Sequence, residues 1–428
     1  MMEHDFLGKG NLMIVLIYLV MTILFFRAFK AYKIGYFKVA SIILSQVLAL
    51  VCINIITMLQ IILMVGKVAK LRLIIIQIIN MTAIVILVCI VMTFLLNRIY
   101  IFLFPPYRML EIYGEHKNNL RGKMGMRADK YILETSIHIS KPLDEIKQTL
   151  TAYDAVLLND IPSKLKNELL KFCFSNSIRV YFTPKISDVI VKGAVDVELF
   201  DSPLLLCKND GLTLDQRFLK RAMDILLSVI GLALSAPFIL VSAICIKAYD
   251  QGPVFFTQKR CSLDGKVFTM YKLRSMVVDA EKEGKSKPAT DGDDRITPIG
   301  RWIRKTRMDE LPQLVNVLKG DMSIVGPRPE RIEHVEKYTN AIPEFSYRMK
   351  VKGGLTGYAQ VYGKYNTSAY DKLKMDLKYI VNYSLLLDIQ ILFMTVKVIF
   401  MKESTEGFQM DTPNKNTVHD KKDPTKQS

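Results

Sequence analysis

Three apolar runs in the first hundred residues constrain this chain more than any other feature. Residues 12–26, 39–65 and 73–96 are nearly free of charge. That much apolar surface is not left in water. Each run reads as a transmembrane helix, at about 12–27, 38–65 and 72–96, crossing roughly 30 Å of hydrocarbon. A cleaved signal peptide competes for the first run, but no basic segment precedes it and no small-residue cleavage site follows. Arg27, Lys30, Lys33 and Lys38 then form a basic loop, and Arg98 and Arg108 follow the third run. Both stretches are expected in the cytoplasm, which puts the N-terminus outside after three crossings. Lys67, Lys70 and Arg72 fall in the exported loop, against that rule.

Half of the residues are hydrophobic and the formal net charge is +17. An apolar, basic chain suits a membrane with anionic lipid or phosphorylated ligands, and the apolar runs argue against nucleic acid. The six cysteines lack CxxC spacing and two lie in membrane segments, so they read as free thiols in a reducing compartment. The five histidines are dispersed and suggest no zinc site.

Residues 105–215 are soluble in character. Short strands at 130–134, 155–159 and 179–182, with a helix at 162–174, predict a small α/β unit with a parallel sheet. Glu111-Ile112-Tyr113-Gly114 stands where a dinucleotide fingerprint would begin, but GxGxxG is absent and no cofactor is assigned. A further apolar run, 222–246, is long enough to span. Pro237 lies in its middle, where it should break a helix, and cations flank both ends.

The polar chemistry gathers beyond residue 250. Residues 252–276 alternate strand-like residues with Gln258, Lys259, Arg260, Lys266, Lys272 and Arg274, which by pattern alone is a solvated hairpin edge. Residues 281–294 are expected to be a mobile loop. Its Asp291-Gly292-Asp293-Asp294 superficially resembles the metal-binding DxD of glycosyltransferases, but reads better as a solvated acidic stretch. In RITPIGRWIRKTRMDELPQLVNVLKGDMSIVGPRP, two adjacent carboxylates, Asp309 and Glu310, follow a run of cations. Leu311, Leu314, Val315 and Leu318 then recur at helical spacing, and Gly320 is a natural stop. Pro312 in a first turn sets the helix start near Asp309, so both carboxylates sit at a helix N-terminus. Helix capping by an acid and catalysis are even readings for the pair alone. Adjacent side chains on a helix diverge, so the two should have different jobs. Residues 371–401 read as an interfacial helix, and the tail, 408–428, as disordered.

DELPQLVNVLKGDMSIVGPRP, PVFFTQKRCSLDGKVFTMYKLRSM, TPIGRWIRKTRMDELPQL and LTGYAQVYGKYN, in that order, closely resemble the bacterial sugar transferases. These are polyprenyl-phosphate hexose-1-phosphate transferases, also called monotopic phosphoglycosyl transferases, and the likeness runs from about Lys220 to Gly407. Before Lys220 the organisation looks, more loosely, like the larger members that initiate exopolysaccharide and capsule assembly. The resemblance implies a multi-pass α/β membrane protein of the bacterial plasma membrane. Its parts would be transmembrane helices in 1–104, a degenerate Rossmann-like domain in 105–215, and a mostly helical catalytic domain in 216–407 with interfacial helices. The 221–247 run would be a re-entrant helix that breaks at Ser235 and Pro237 and returns to the cytoplasmic face. Here Ala236 separates Ser235 from Pro237, unlike the adjacent pair common in the family, and Gly353 stands where the family usually has proline.

The implied reaction moves a sugar 1-phosphate from a UDP-sugar to undecaprenyl phosphate, with Mg²⁺ (or Mn²⁺) as cofactor and UMP released. Asp309 becomes the nucleophile, Asp309 or Glu310 the metal ligand, Glu310 also a catalytic aid to the acceptor phosphate, and Gln258, Arg260, Lys272, Arg274, Arg301, Arg304 and Arg328 contacts for phosphate or nucleotide. Arginine suits that task through its fixed donor fork. Membrane lipid is a further partner, nucleic acid is not, and a homo-oligomer is allowed. Two other classes stay open: a glycosyltransferase that releases UDP, and a non-enzymatic membrane scaffold that senses a nucleotide.

Overall fold

The computed structural model describes residues 8–65, 71–114, 120–198, 201–207, 211–278, 280, 293–364 and 367–401. The acidic residues up to Gly292 and the expected tail therefore lie outside the described residues. The chain divides into two compact units, 1–222 with 377–397, and 223–376 with 398–428.

In the first unit, helices α1 (Gly8–Ala28), α2 (Val39–Val65) and α3 (Leu71–Leu103) form over the apolar runs. Val39–Ile62 and Ile75–Leu103 are long and apolar enough to cross a membrane, and Leu12–Ala28 is a shorter apolar helix. The third helix continues past the expected end at 96, with Arg98 inside it, because no breaker occurs before Pro105-Pro106. Polar side chains join the helices. Asn54 Nδ2 donates to Thr82 Oγ1 at 2.7 Å, Tyr18 OH to Asn54 Oδ1 at 3.2 Å, and Thr93 Oγ1 to Gln46 Oε1 at 3.0 Å. Such bonds matter because lipid offers no alternative partners.

The α/β part forms a parallel sheet from β1 (Tyr107–Tyr113), β2 (Tyr131–His138), β3 (Ala155–Asn159) and β4 (Arg179–Phe182), in the order β2-β1-β3-β4. The expected strands appear, and β1 is the addition. β3 is buried along its whole length, as a central parallel strand requires. Leu110, Ile112, Val156 and Leu158 pack on helices Leu143–Leu150 and Ser163–Ser175, while Met109, Ala155 and Leu157 face the other side. The basic turn after α1 docks on this domain. Arg127 donates to Tyr36 O at 2.7 Å and Gly35 O at 3.2 Å, and the Lys130 ammonium lies 4.1 Å from the centre of the Tyr36 ring. The α1–α2 turn and the sheet domain are thus in direct contact.

The expected single interfacial helix is two, Ala369–Val381 and Leu385–Ile399, parted by the polar Asn382-Tyr383-Ser384. Lys220 and Asp388 form a buried pair at 2.7 Å, and Tyr379 OH donates to the other Asp388 oxygen at 2.8 Å.

The Leu214–Asp250 helix begins in the first unit, enters the second at Met223 and runs through Pro237, about 55 Å in all. The expected interruption at Ser235 and Pro237 does not occur, the helix continuing through both residues. Pro237 removes one backbone donor, and the Ser235 hydroxyl turns back to Leu232 O at 3.4 Å. Both features bend a helix without ending it. The 252–276 segment forms the antiparallel hairpin Phe255–Cys261/Val267–Leu273. Ile246, Leu273 and Ile303 make a small core between the long helix, the hairpin and the Pro298–Lys305 helix.

Candidate active site

The carboxylate pair is built by its flanks. Thr297 caps the Pro298–Lys305 helix by accepting from Gly300 N at 2.9 Å, with Pro298 in its first turn. Gly300 sits so close to Ser275 O that any Cβ would lie 1.9 Å from it, which presses this helix against the end of the hairpin. The helix ends in cations, and Arg307 then adopts left-handed φ/ψ (φ 58°). Asp309 and Glu310 follow in a 3₁₀ turn, Met308–Glu310, not in the α-helix itself, which spans Gln313–Lys319. Gly320 closes that helix at φ 89°, as expected.

Asn316 positions the other wall. Fully buried, it accepts from Tyr271 N at 3.0 Å and donates to Thr269 O at 2.7 Å, locking the hairpin strand that carries Lys272. Asp224, on the long helix, accepts from Ser323 Oγ and Ile324 N, both at 3.0 Å, and so fixes strand Ser323–Val325. That strand pairs in parallel with Gly354–Thr356 and leads into Pro327-Arg328-Pro329. Gly353 N donates to Ser262 Oγ at 3.0 Å, a bond that a proline at this position would not make.

The two carboxylates meet different surroundings. Glu310 Oε1 accepts from Arg328 Nη2 at 2.6 Å and from Lys272 Nζ at 3.3 Å. Burial pushes the Glu310 carboxyl up, but Arg328 and Lys272 more than offset that and hold it far below the usual carboxylate range. The Arg328 guanidinium is raised, chiefly by Glu310, while burial lowers Lys272 despite the same partner. For Asp309 the balance is reversed. Burial and the neighbouring Glu310 push its carboxyl up, with Lys272, Arg304 and Arg328 pulling it partly back. One carboxylate is therefore a fixed anion inside a cationic clamp. The other, half-buried beside it, is basic enough to act.

Among the expected phosphate contacts, Lys272, Arg304 and Arg328 converge on this pair. Arg260 and Gln258 share the Lys272 face of the hairpin. Arg260 donates to Gln258 Oε1 at 2.5 Å and to Pro329 O at 3.2 Å, bracing the loop that presents Arg328. Arg274 instead bonds Asp250, with one contact at 2.8 Å, and Arg301 lies on the exposed face of its helix. Asp293 is bound by Arg295 at 2.6 Å and serves the chain turn. Sequence reasoning missed Asn316, Asp224 and Arg348. Arg348 is buried against Asp376 at 2.8 Å and donates to Arg328 O at 2.9 Å. The available signal was polarity out of place: an asparagine within an apolar helical stripe, and an acid at the head of an apolar run. Gln313, next in the same motif, is buried with no hydrogen bond to its amide nitrogen among the described residues.

The bacterial sugar transferase family model matches residues 215–402. An Aeromonas hydrophila protein named UDP-N-acetylgalactosamine-undecaprenyl-phosphate N-acetylgalactosaminephosphotransferase is 39% identical over 272 residues, covering 60% of this chain and 61% of that protein. A Klebsiella pneumoniae UDP-glucose:undecaprenyl-phosphate glucose-1-phosphate transferase is 33% identical over 306 residues, 70% of this chain and 64% of that one. A shorter Bacillus subtilis protein, named as a putative undecaprenyl-phosphate N-acetylgalactosaminyl 1-phosphate transferase, is 53% identical over 131 residues, 31% of this chain and 73% of its own length. The match thus spans somewhat less than two thirds of the two longer relatives.

Proposed function

This chain belongs to the bacterial sugar transferase family, and from that premise we propose that it transfers a sugar 1-phosphate from a UDP-sugar to undecaprenyl phosphate, releasing UMP. The observation that carries the reading is the unequal pair: Glu310 fixed by Arg328 and Lys272, and Asp309 raised beside it. Asp309 is the nucleophile. A carboxylate oxygen attacks the sugar-bearing phosphorus, the bond from that phosphorus to the bridging oxygen breaks, and UMP departs with the electron pair. An oxygen of the lipid phosphate then attacks the same phosphorus and frees the Asp309 carboxylate, giving the polyprenyl diphosphate sugar. Arg328, Lys272 and Arg304 stabilise negative charge on the phosphate oxygens, in a site where burial strengthens each interaction.

A divalent cation fits this donor set. Two crowded carboxylates favour a cation between them and the substrate, and Glu310 Oε2 has no hydrogen bond among the described residues. No group of three or more Asp, Glu, His or Cys side chains surrounds one point among those residues. Mg²⁺ is commonly held by one or two carboxylates plus substrate phosphates, which Asp309 and Glu310 could supply. Bound there, Mg²⁺ or Mn²⁺ would screen the diphosphate.

We also read the Leu214–Asp250 helix as re-entrant, with the second unit on the cytoplasmic face. Asp224 bonds Ser323 and Ile324 while Asp250 bonds Arg274, so polar contacts to one compact unit hold both halves of the helix. In a helix that crossed straight through, hydrocarbon would separate those two acids. In a cysteine-free background, Leu214→Cys and Gln251→Cys should both react with a membrane-impermeant maleimide in inside-out vesicles. Labelling of only one would mean that the helix spans.

The reaction is tested in membranes containing the protein, Mg²⁺, undecaprenyl phosphate and individual UDP-sugars, with UMP and UDP assayed separately. The expected result is UMP release for one or a few donors, dependent on the lipid phosphate. UDP release would make the chemistry simple glycosyl transfer, and silence with all donors would favour a scaffold.

A further inference from the structure

Four lysines of the first unit gather where α1 ends. Lys397, on the Leu385–Ile399 helix, is 2% exposed, and its ammonium donates to Ser45 Oγ on α2 at 2.7 Å. The Ser45 hydroxyl is itself spent on Ser41 O at 3.1 Å. The ammonium also faces the Phe37 ring, 5.6 Å to its centre. One turn earlier, Phe393 packs on Phe25 and Phe29 with ring centres 5.2 and 5.0 Å apart, so the helix is anchored and the lysine does not reach outward.

A buried ammonium normally has a carboxylate. Among the described residues Lys397 has a neutral hydroxyl, and the charged side chain that acts on it is another cation, Lys30. Lys30 in turn is pressed by burial, Lys33 and Lys378, and both Lys30 and Lys397 are lowered to about 8. Electrostatics of this kind favour an anion. Depth selects its kind. Ser45 lies about 9 Å along α2, a helix about 40 Å long against roughly 30 Å of hydrocarbon. The ammonium is therefore near the boundary where headgroup phosphates begin. A cation at that depth ordinarily snorkels into water, and this one is turned inward.

We propose that Lys397, Lys30, Lys33 and Lys378 form a binding site for the phosphate of an anionic membrane lipid, built from none of the residues around the carboxylate pair. The phosphate is borne either by a glycerophospholipid or by polyprenyl phosphate.

The full chain in phosphatidylcholine nanodiscs tests this, with phosphatidylglycerol, undecaprenyl phosphate or inorganic phosphate added in turn and Tm followed by titration. Either anionic lipid should raise the Tm of the wild type in a saturable way. Lys397→Met fills the same volume, should fold at least as well in phosphatidylcholine alone, and should lose roughly tenfold in apparent lipid affinity. Lys397→Arg should keep it, and Lys33→Gln with Lys378→Gln, both at exposed positions, should weaken it without touching the buried contact. A response to undecaprenyl phosphate alone assigns the site to the acceptor, and a response to both lipids assigns it to anionic headgroups generally. An unchanged response in Lys397→Met, or an equal rise with inorganic phosphate, overturns the proposal.

Discussion

Asp309→Asn is expected to lower UMP release by at least about 10⁴-fold while leaving the protein as stable as the wild type or more so. The first number is what removal of a nucleophile costs when its neighbours stay in place. The second follows from the direction of the Asp309 shift. Burial and Glu310 raise its folded pKa above the unfolded value, so the fold favours the protonated acid. That preference stabilises the protein fully below the unfolded pKa and is lost as pH rises through the folded pKa. At neutral pH the ionised Asp309 is therefore a strain on the fold, and Asn relieves it. Thermal unfolding of the two proteins should differ most at neutral pH and converge on acidification. The same raised pKa predicts that wild-type kcat/KM falls as pH drops through it, because only the carboxylate attacks. Glu310→Gln should behave oppositely in stability, since Arg328 and Lys272 then lose their shared anion. An Asp309→Asn protein that unfolds early and retains transfer would assign Asp309 a capping role.

The sequence carried the local signals well and the long-range ones poorly. Apolar runs located Val39–Ile62 and Ile75–Leu103, both long and apolar enough to cross a membrane, and the shorter apolar helix Leu12–Ala28, because length and hydrophobicity decide that question without tertiary help. Ala155–Asn159 and Arg179–Phe182 appear where the apolar pattern put them. The motif around Asp309 was legible in its carboxylates and cations, yet not in its geometry. A left-handed Arg307 shifts the pair into a 3₁₀ turn ahead of the helix, and nothing in residue spacing encodes that φ. Arg274 reads as a phosphate contact by the family resemblance alone. Only the fold reveals Asp250 beside it. Likewise Asn316 and Asp224 act across 45 and 100 residues of sequence, distances at which periodicity says nothing.

Arg348 shows how far such hidden support reaches into the site. Its guanidinium pairs with Asp376 at 2.8 Å, both side chains being buried, and also approaches Glu330 at 3.6 Å. Arg348→Met should destabilise the protein by about 3–5 kcal/mol, because it leaves the Asp376 charge buried without a partner. Burial already raises the Asp376 carboxyl even with Arg348 present. The loss should therefore shrink as pH falls and protonation removes the orphaned charge. Adding Asp376→Leu should restore most of the Tm, since a buried ion pair replaced by apolar side chains is often neutral. Transfer should not recover in step. Arg348 also donates to Arg328 O at 2.9 Å, and Arg328 is the cation that holds Glu310. Without that donor the Pro327-Arg328-Pro329 loop keeps its prolines but loses its outer tether, and kcat in the double variant should stay about tenfold low. A double variant that regains both Tm and kcat would make Arg348 a stability residue alone. Recovery of Tm without kcat would show that the buried pair serves the reaction by aiming Arg328.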